Sequence, residues 1–140
     1  MTHHTLLAFD YGLKKIGVAI GNTLTSVARP LDILRPKTRV QRFADIEALL
    51  TEWQPQALIV GLPLTLDGGE QDASVRCRRF ANQLHGRYGL PVHLVDERGS
   101  SLEAQALLAN NNDDDAVAAA IILQRWLDQN TTPNALYTSF

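Results

Sequence analysis

The sequence predicts a single α/β domain in which a mixed five-stranded sheet carries helices on both faces. Three short apolar segments separated by turn residues come first, which indicates an antiparallel meander. Helical segments then alternate with two further apolar runs, the pattern of strands joined by helical crossovers. A length of 140 residues is enough for one hydrophobic core. The expected order of elements over residues 1–140 is therefore β-β-β-α-β-α-β-α-α.

The first half of the chain supplies the meander and the first helix. Apolar runs over 5–10 and 16–20 are joined by the glycine-containing turn "YGLKK", which favours an antiparallel pair. A third strand is expected over 26–34, ended by the turn-prone "RPKT". The segment "VQRFADIEALLTEW" then repeats apolar residues at helical spacing, and Pro55 ends that helix.

The second half alternates strands and helices. "ALIVGLP" is apolar without alternation, as in a central strand buried on both faces. Residues 72–88 form an amphipathic helix, and "PVHLVDER" is a further strand that ends in charged residues. "SSLEAQALLA" and "AVAAAIILQRWL" are two more helices, separated by "NNNDDD". We expect a poorly ordered tail over 131–140.

Composition limits the classes of function. The 13 basic and 15 acidic residues give a net charge of −2, which excludes a strongly basic nucleic-acid module. The chain has a single cysteine, which favours a reducing compartment. It lacks a ~20-residue apolar span and a signal sequence, so we expect a cytoplasmic protein without membrane contact. The basic residues are nevertheless segregated, since 11–42 contains one acid, Asp32, and seven cations: Lys14, Lys15, Arg29, Arg35, Lys37, Arg39 and Arg42.

Three acidic positions lie where an element begins or ends. Asp10 ends the first strand, Glu97 ends the last strand, and Asp115 opens the final helix. In open α/β sheets, ligands gather outside the carboxyl ends of the strands. Clustered carboxylates repel one another unless a hard divalent cation such as Mg²⁺ neutralises them, and a pair of such ions supports phosphodiester cleavage. The run of aspartates leaves Asp114 open as the third acid instead of Asp115.

Four motifs in order resemble the YqgF/RuvX family: "LLAFDYGLKKIGVAIG", "LIVGLPLTLDGGEQ", "VDERGSS" and "DDDAVAAAIIL". Together they span about residues 4–128. The resemblance implies an RNase H-like fold and a nuclease that cuts RNA or structured DNA with Mg²⁺ or Mn²⁺. It places the catalytic, metal-binding acids at Asp10, Glu97 and Asp115. Two features depart from the family pattern: the short, non-basic "LANNNDDD" before the last acid, and glycine after "DER".

The resemblance also implies the partners. The substrate would be the 5′ end of the 16S rRNA precursor, within a ribosomal precursor particle, and the protein a monomer or homodimer. Lys14 and Arg98 would bind the phosphate backbone, "GLPL" with Gly61 would line the cleft, and Arg76 and Arg79 would extend the nucleic-acid track.

The sequence alone is also compatible with other functions. A Holliday-junction resolvase would use the same chemistry as a dimer on branched DNA. A non-catalytic RNA-binding assembly factor would keep the fold without cutting. A D-x-G hairpin also occurs in actin-like ATPases, but this chain has only one of the two halves needed for their cleft. Each candidate residue also has a purely structural interpretation. Asp10 could form a turn, and Glu97 could form a surface ion pair with Arg98. Asp115 could cap a helix, and Arg76 and Arg79 could belong to a solvated helix face.

Overall fold

A computed structural model describes residues 4–65, 67–97 and 114–130 of the chain, with the side chains of the last range from residue 116 onward. The described elements follow the predicted order and are the strands β1 (Thr5–Tyr11), β2 (Ile16–Asn22), β3 (Val27–Leu34), β4 (Ala57–Leu62) and β5 (Val92–Asp96), and the helices α1 (Arg39–Trp53), α2 (Asp72–Tyr88) and α3 (Asp114–Asn130). The predicted helix over 100–109 and the tail over 131–140 lie outside the described residues.

The strands form one mixed five-stranded sheet, as predicted, in the order β3-β2-β1-β4-β5. The first three strands are antiparallel, while β1 pairs in parallel with β4, and β4 with β5. β3 begins one residue later than expected because Ser26 adopts a φ of 57°, which strand geometry excludes. The parallel pairing brings the carboxyl ends of β1, β4 and β5 to one edge of the sheet.

Helices cover both faces of the sheet and divide the core in two. Along β1, Leu7 and Phe9 pack in a cluster with α1 and α2, whereas Leu6 and Ala8 pack in a second cluster with α3. Successive side chains of a strand point to opposite faces. Asp10 therefore belongs to the α3 face, and Tyr11 to the face that α1 and α2 cover.

Local hydrogen bonds fix where the helices α1 and α2 begin. Thr38 caps α1, because its hydroxyl accepts from the backbone N–H of Gln41 at 3.0 Å. Ser74 in the first turn of α2 is fully buried and donates to the carbonyl oxygen of Pro63, directly after β4. This contact ties the beginning of α2 to the carboxyl edge of the sheet.

Helix α3 packs diagonally across the other face. Its Gln124 side chain accepts from the N–H of Ala28 at 2.9 Å and donates to the carbonyl of Ser26 at 2.8 Å, so the later turns lie beside the start of β3. The first turns lie beside the end of β3, where Ala116 and Val117 line a cavity of about 430 Å³. α3 therefore begins at the edge of the sheet at which β1 and β3 both end. None of the described helices is long and apolar enough to cross a membrane.

Candidate active site

Asp10 is held at the end of β1 by the turn that follows it. The residue opposite it on β2 is Gly17, and Asp10 itself is half-buried. The turn closes through a bond from the N–H of Gly12 to the carbonyl oxygen of Lys15, at 3.0 Å. A Cβ at Gly12 would lie 2.7 Å from that oxygen, so the tight turn requires glycine. The carboxylate near the end of β1 is thus followed closely by a tight turn that leads into β2.

Glu97 comes from the edge strand but extends over β4. Its backbone N–H donates to the carbonyl oxygen of Leu62 at 3.1 Å, which continues the parallel β4–β5 ladder by one bond. Its side chain lies above Gly61: an ideal Cβ built there would be 2.9 Å from Glu97 Cδ and 3.1 Å from Oε1. The carboxylate therefore lies on the α3 face, above the strand that separates β5 from β1.

The electrostatics show that the two carboxylates act on each other. Burial raises the pKa of Glu97 to about 7, and the negative charges of Asp10 and then Asp96 add to the rise. Glu97 directly follows β5, the edge strand next to β4. The path of its side chain over Gly61 brings its carboxylate within electrostatic reach of Asp10.

Cys77 lies behind the pair, in the cluster between the sheet and α2. Burial, followed by the charges of Glu97 and Asp10, raises the pKa of its thiol to about 12. A thiol that stays protonated at neutral pH is a poor nucleophile. Cys77 is accordingly the buried, inert residue that its position on the core face of α2 predicts.

The third predicted acid lies at the beginning of α3. The helix starts at Asp114, so the backbone of Asp115 belongs to the first turn, at the same edge as Asp10. The side chains of both aspartates lie outside the described residues, and the choice between them stays a prediction. Among the side chains that are described, no group of three or more His, Cys, Asp or Glu residues gathers as a metal site.

The predicted nucleic-acid contacts are distributed around this edge. Lys14 is exposed on the turn after Asp10, while Arg76 and Arg79 are half-buried and exposed, respectively, on the first half of α2. The positive charge of Arg76 acts on the thiol of the adjacent Cys77. Arg98 is outside the described residues.

A stack of aromatic and cationic side chains on the opposite face was missed by sequence reasoning. Tyr11 lies flat on Phe80, with 4.3 Å between ring centroids and 21° between planes. The guanidinium of Arg42 covers the Tyr11 ring at 5.3 Å from its centroid. The only signal in the sequence is the segregation of arginines before residue 43. The contact between Arg42 and Tyr11 itself depends on how α1 packs against the sheet.

Comparison with known proteins agrees with the fold and the motifs. Residues 4–129 match the family model RuvX, described as Holliday junction resolvase. The chain belongs to the RuvX family. One RuvX relative, from Bordetella parapertussis, is 68% identical over 133 residues, which cover 95% of this chain and all of the relative. Another, from Burkholderia cenocepacia, is 53% identical over 89% of each chain. Both carry the name "Putative pre-16S rRNA nuclease".

A solved structure identifies the fold independently of sequence. T. thermophilus RuvC in complex with a Holliday junction substrate superposes with a TM-score of 0.60 at 17% identity, over 92% of this chain and 96% of the other. At that identity the likeness concerns the fold alone. The RNase H-like fold expected from the resemblance is thereby confirmed for this RuvX-family chain.

Proposed function

We propose that this RuvX-family protein is a metal-dependent endonuclease that processes the 5′ end of the 16S rRNA precursor in the cytoplasm. The observation that carries the proposal is the approach of Glu97 to Asp10 across β4, which unites acids from two non-adjacent strands. The names of relatives at 53–68% identity support RNA as the substrate.

The two acids suit a divalent cation. Like charges held together at a partly buried position raise the pKa of Glu97, and a bound cation would offset that repulsion. Carboxylate oxygens are the ligands that Mg²⁺ and Mn²⁺ prefer. We assign Asp10, Glu97 and Asp115 as the holding residues, with Asp114 as the neighbour that would replace Asp115. Cations held by these residues would supply activation of a water molecule and neutralisation of charge at the leaving oxygen in phosphodiester cleavage.

Cations around the edge would bind the RNA backbone. Lys14, Arg76 and Arg79 would contact phosphates, and Arg98 is proposed with them from its position after Glu97. Arg42 joins them because the Tyr11 ring holds its guanidinium in place beside the strand end that carries Asp10. Phosphate contacts position the strand without reading its sequence.

Resolution of branched DNA is the second candidate, favoured by the family description and the RuvC-like fold. It would use the same acids in a homodimer, because two symmetric strands must be cut. An RNA-binding assembly factor without cleavage, associated with a ribosomal precursor particle, is the alternative outside the enzyme class. Cleavage assays separate all three.

The test compares the wild-type protein with Asp10→Asn, Asp115→Asn and Asp114→Asn on a 5′ fragment of the 16S precursor and on a four-way DNA junction, each with Mg²⁺ or Mn²⁺. We expect metal-dependent cutting of the RNA, lost in Asp10→Asn and Asp115→Asn. Loss in Asp114→Asn instead would move the third ligand by one residue. Cutting of the junction alone would establish the resolvase, and RNA binding without cutting would establish the assembly factor.

A further inference from the structure

Gly61 lies on β4, between the strands that carry the two acids. Asp10 ends β1 on one side of β4, and Glu97 follows β5 on the other. We infer that Gly61 is a positioning residue, whose missing side chain leaves the passage through which Glu97 reaches the metal site. This inference rests on the proposed metal site, because it concerns how Glu97 is presented to it.

The need for glycine at this position is one of space. Gly61 does not have a positive φ, so its backbone conformation is open to any residue. An ideal Cβ would lie 2.5 Å from Ile122 Cδ1 and 2.9 Å from Glu97 Cδ, both closer than real Cβ contacts allow. Because Gly61 is itself buried, its influence on the site runs through these two neighbours.

The two neighbours differ in their freedom to move. Ile122 is 1% exposed in the core cluster beneath α3, where close packing resists displacement. The Glu97 carboxylate is the end of a flexible side chain that is only half-buried. A methyl group at residue 61 would therefore displace the Glu97 carboxylate as well as the Ile122 methyl, and would change how the carboxylate is presented to the site.

A purely structural role makes a different prediction. If Gly61 only accommodates Ile122, then removing the clashing Ile122 atom should restore the thermal stability, the Mn²⁺ affinity and the kcat that Gly61→Ala lowers. Ile122→Val deletes Cδ1, the atom at 2.5 Å, and leaves the Glu97 contact unchanged. The double variant Gly61→Ala/Ile122→Val therefore separates packing from positioning.

The experiment measures MnCl₂ affinity by calorimetry, thermal unfolding, and kcat and KM for RNA cleavage in the wild type, Gly61→Ala, Ile122→Val and the double variant. Gly86→Ala is the matched control, because nothing lies within 4 Å of an ideal Cβ there. We expect Gly61→Ala to weaken Mn²⁺ binding and lower kcat about 10–100-fold, as changes that misplace metal ligands do. The double variant should recover the thermal midpoint but neither the Mn²⁺ affinity nor kcat.

Recovery of Mn²⁺ affinity in the double variant would overturn the inference, as would wild-type affinity in Gly61→Ala. Asp10→Asn provides the separate check on the metal site, since it should lose Mn²⁺ binding whatever Gly61 does. Wild-type protein that binds no Mn²⁺ would overturn the proposed function, and this inference with it. Mn²⁺ binding that Asp10→Asn abolishes but Gly61→Ala leaves intact would overturn the inference alone.

Discussion

Replacement of Glu97 by glutamine should stabilise the metal-free protein at alkaline pH while removing its activity. Glutamine has the shape of the protonated acid and carries no charge to repel Asp10. The pKa of Glu97 rises from 4.5 to about 7 on folding, and at 1.36 kcal/mol per pKa unit this difference corresponds to about 3 kcal/mol. That figure is the largest gain in the free energy of unfolding that the variant should show.

The sign follows from proton linkage. The folded protein binds the Glu97 proton more tightly than the unfolded chain does, so stability falls as pH rises. Below pH 4.5 the residue is protonated in both states and contributes no penalty. The penalty grows between pH 4.5 and pH 7 and is complete above pH 7. Wild type and Glu97→Gln should thus have equal stability near pH 4 and differ most at pH 8.

Urea unfolding in EDTA across this pH range is the assay. Glu52→Gln on α1 is the matched control, because it removes an exposed carboxylate and should change stability by no more than about 0.5 kcal/mol at any pH. Mn²⁺ at a thousand times its Kd should reverse the order, since it stabilises wild type by about 4.1 kcal/mol, more than the roughly 3 kcal/mol gain of the variant, and stabilises the variant much less. A Glu97→Gln protein no more stable than wild type at pH 8 in EDTA would refute the reasoning.

Two further predictions concern binding and folding. Arg42→Gln should weaken RNA binding and lower the slope of log affinity against log salt by about one, with kcat unchanged at saturation, because the proposed role of the guanidinium over Tyr11 is to contact a phosphate. Arg78→Gln, which breaks the exposed pair with Glu70, is its control, and an unchanged slope for Arg42→Gln would remove it from the interface. Thr38→Ala should lower the free energy of unfolding by about 1 kcal/mol in urea titrations, through loss of the α1 cap, whereas an unaltered midpoint would show that the cap contributes nothing.

The strands and helices were predictable because their signals are local. Each described element agrees with the expected one to within two residues at most ends, since apolar periodicity and the turn residues near Gly12 and Pro55 decide those bounds. Asp10 could be proposed as a site residue for the same reason. A carboxylate at the end of an apolar strand is visible in the sequence itself.

The assembly of the site could not be predicted, because it depends on distant contacts. Glu97 on the edge strand suggests a wide separation from Asp10, and only the pairing of β4 with both neighbours shows the side chain crossing over Gly61. The stack of Arg42 on Tyr11 likewise depends on where α1 begins relative to the sheet. Local patterns contain no information about which residues of separate elements meet.

The packing of α3 on the meander determines when activity can arise during synthesis. Gln124 bonds to Ala28 across 96 positions of the chain, and the proposed site joins Asp10 to Asp115 in the same way. A ribosome adding about 5–20 residues per second needs about 5–20 s to pass from the first of these acids to the last. A nascent chain therefore holds its first acid without its last, and only a chain translated through α3 would be competent to cut RNA.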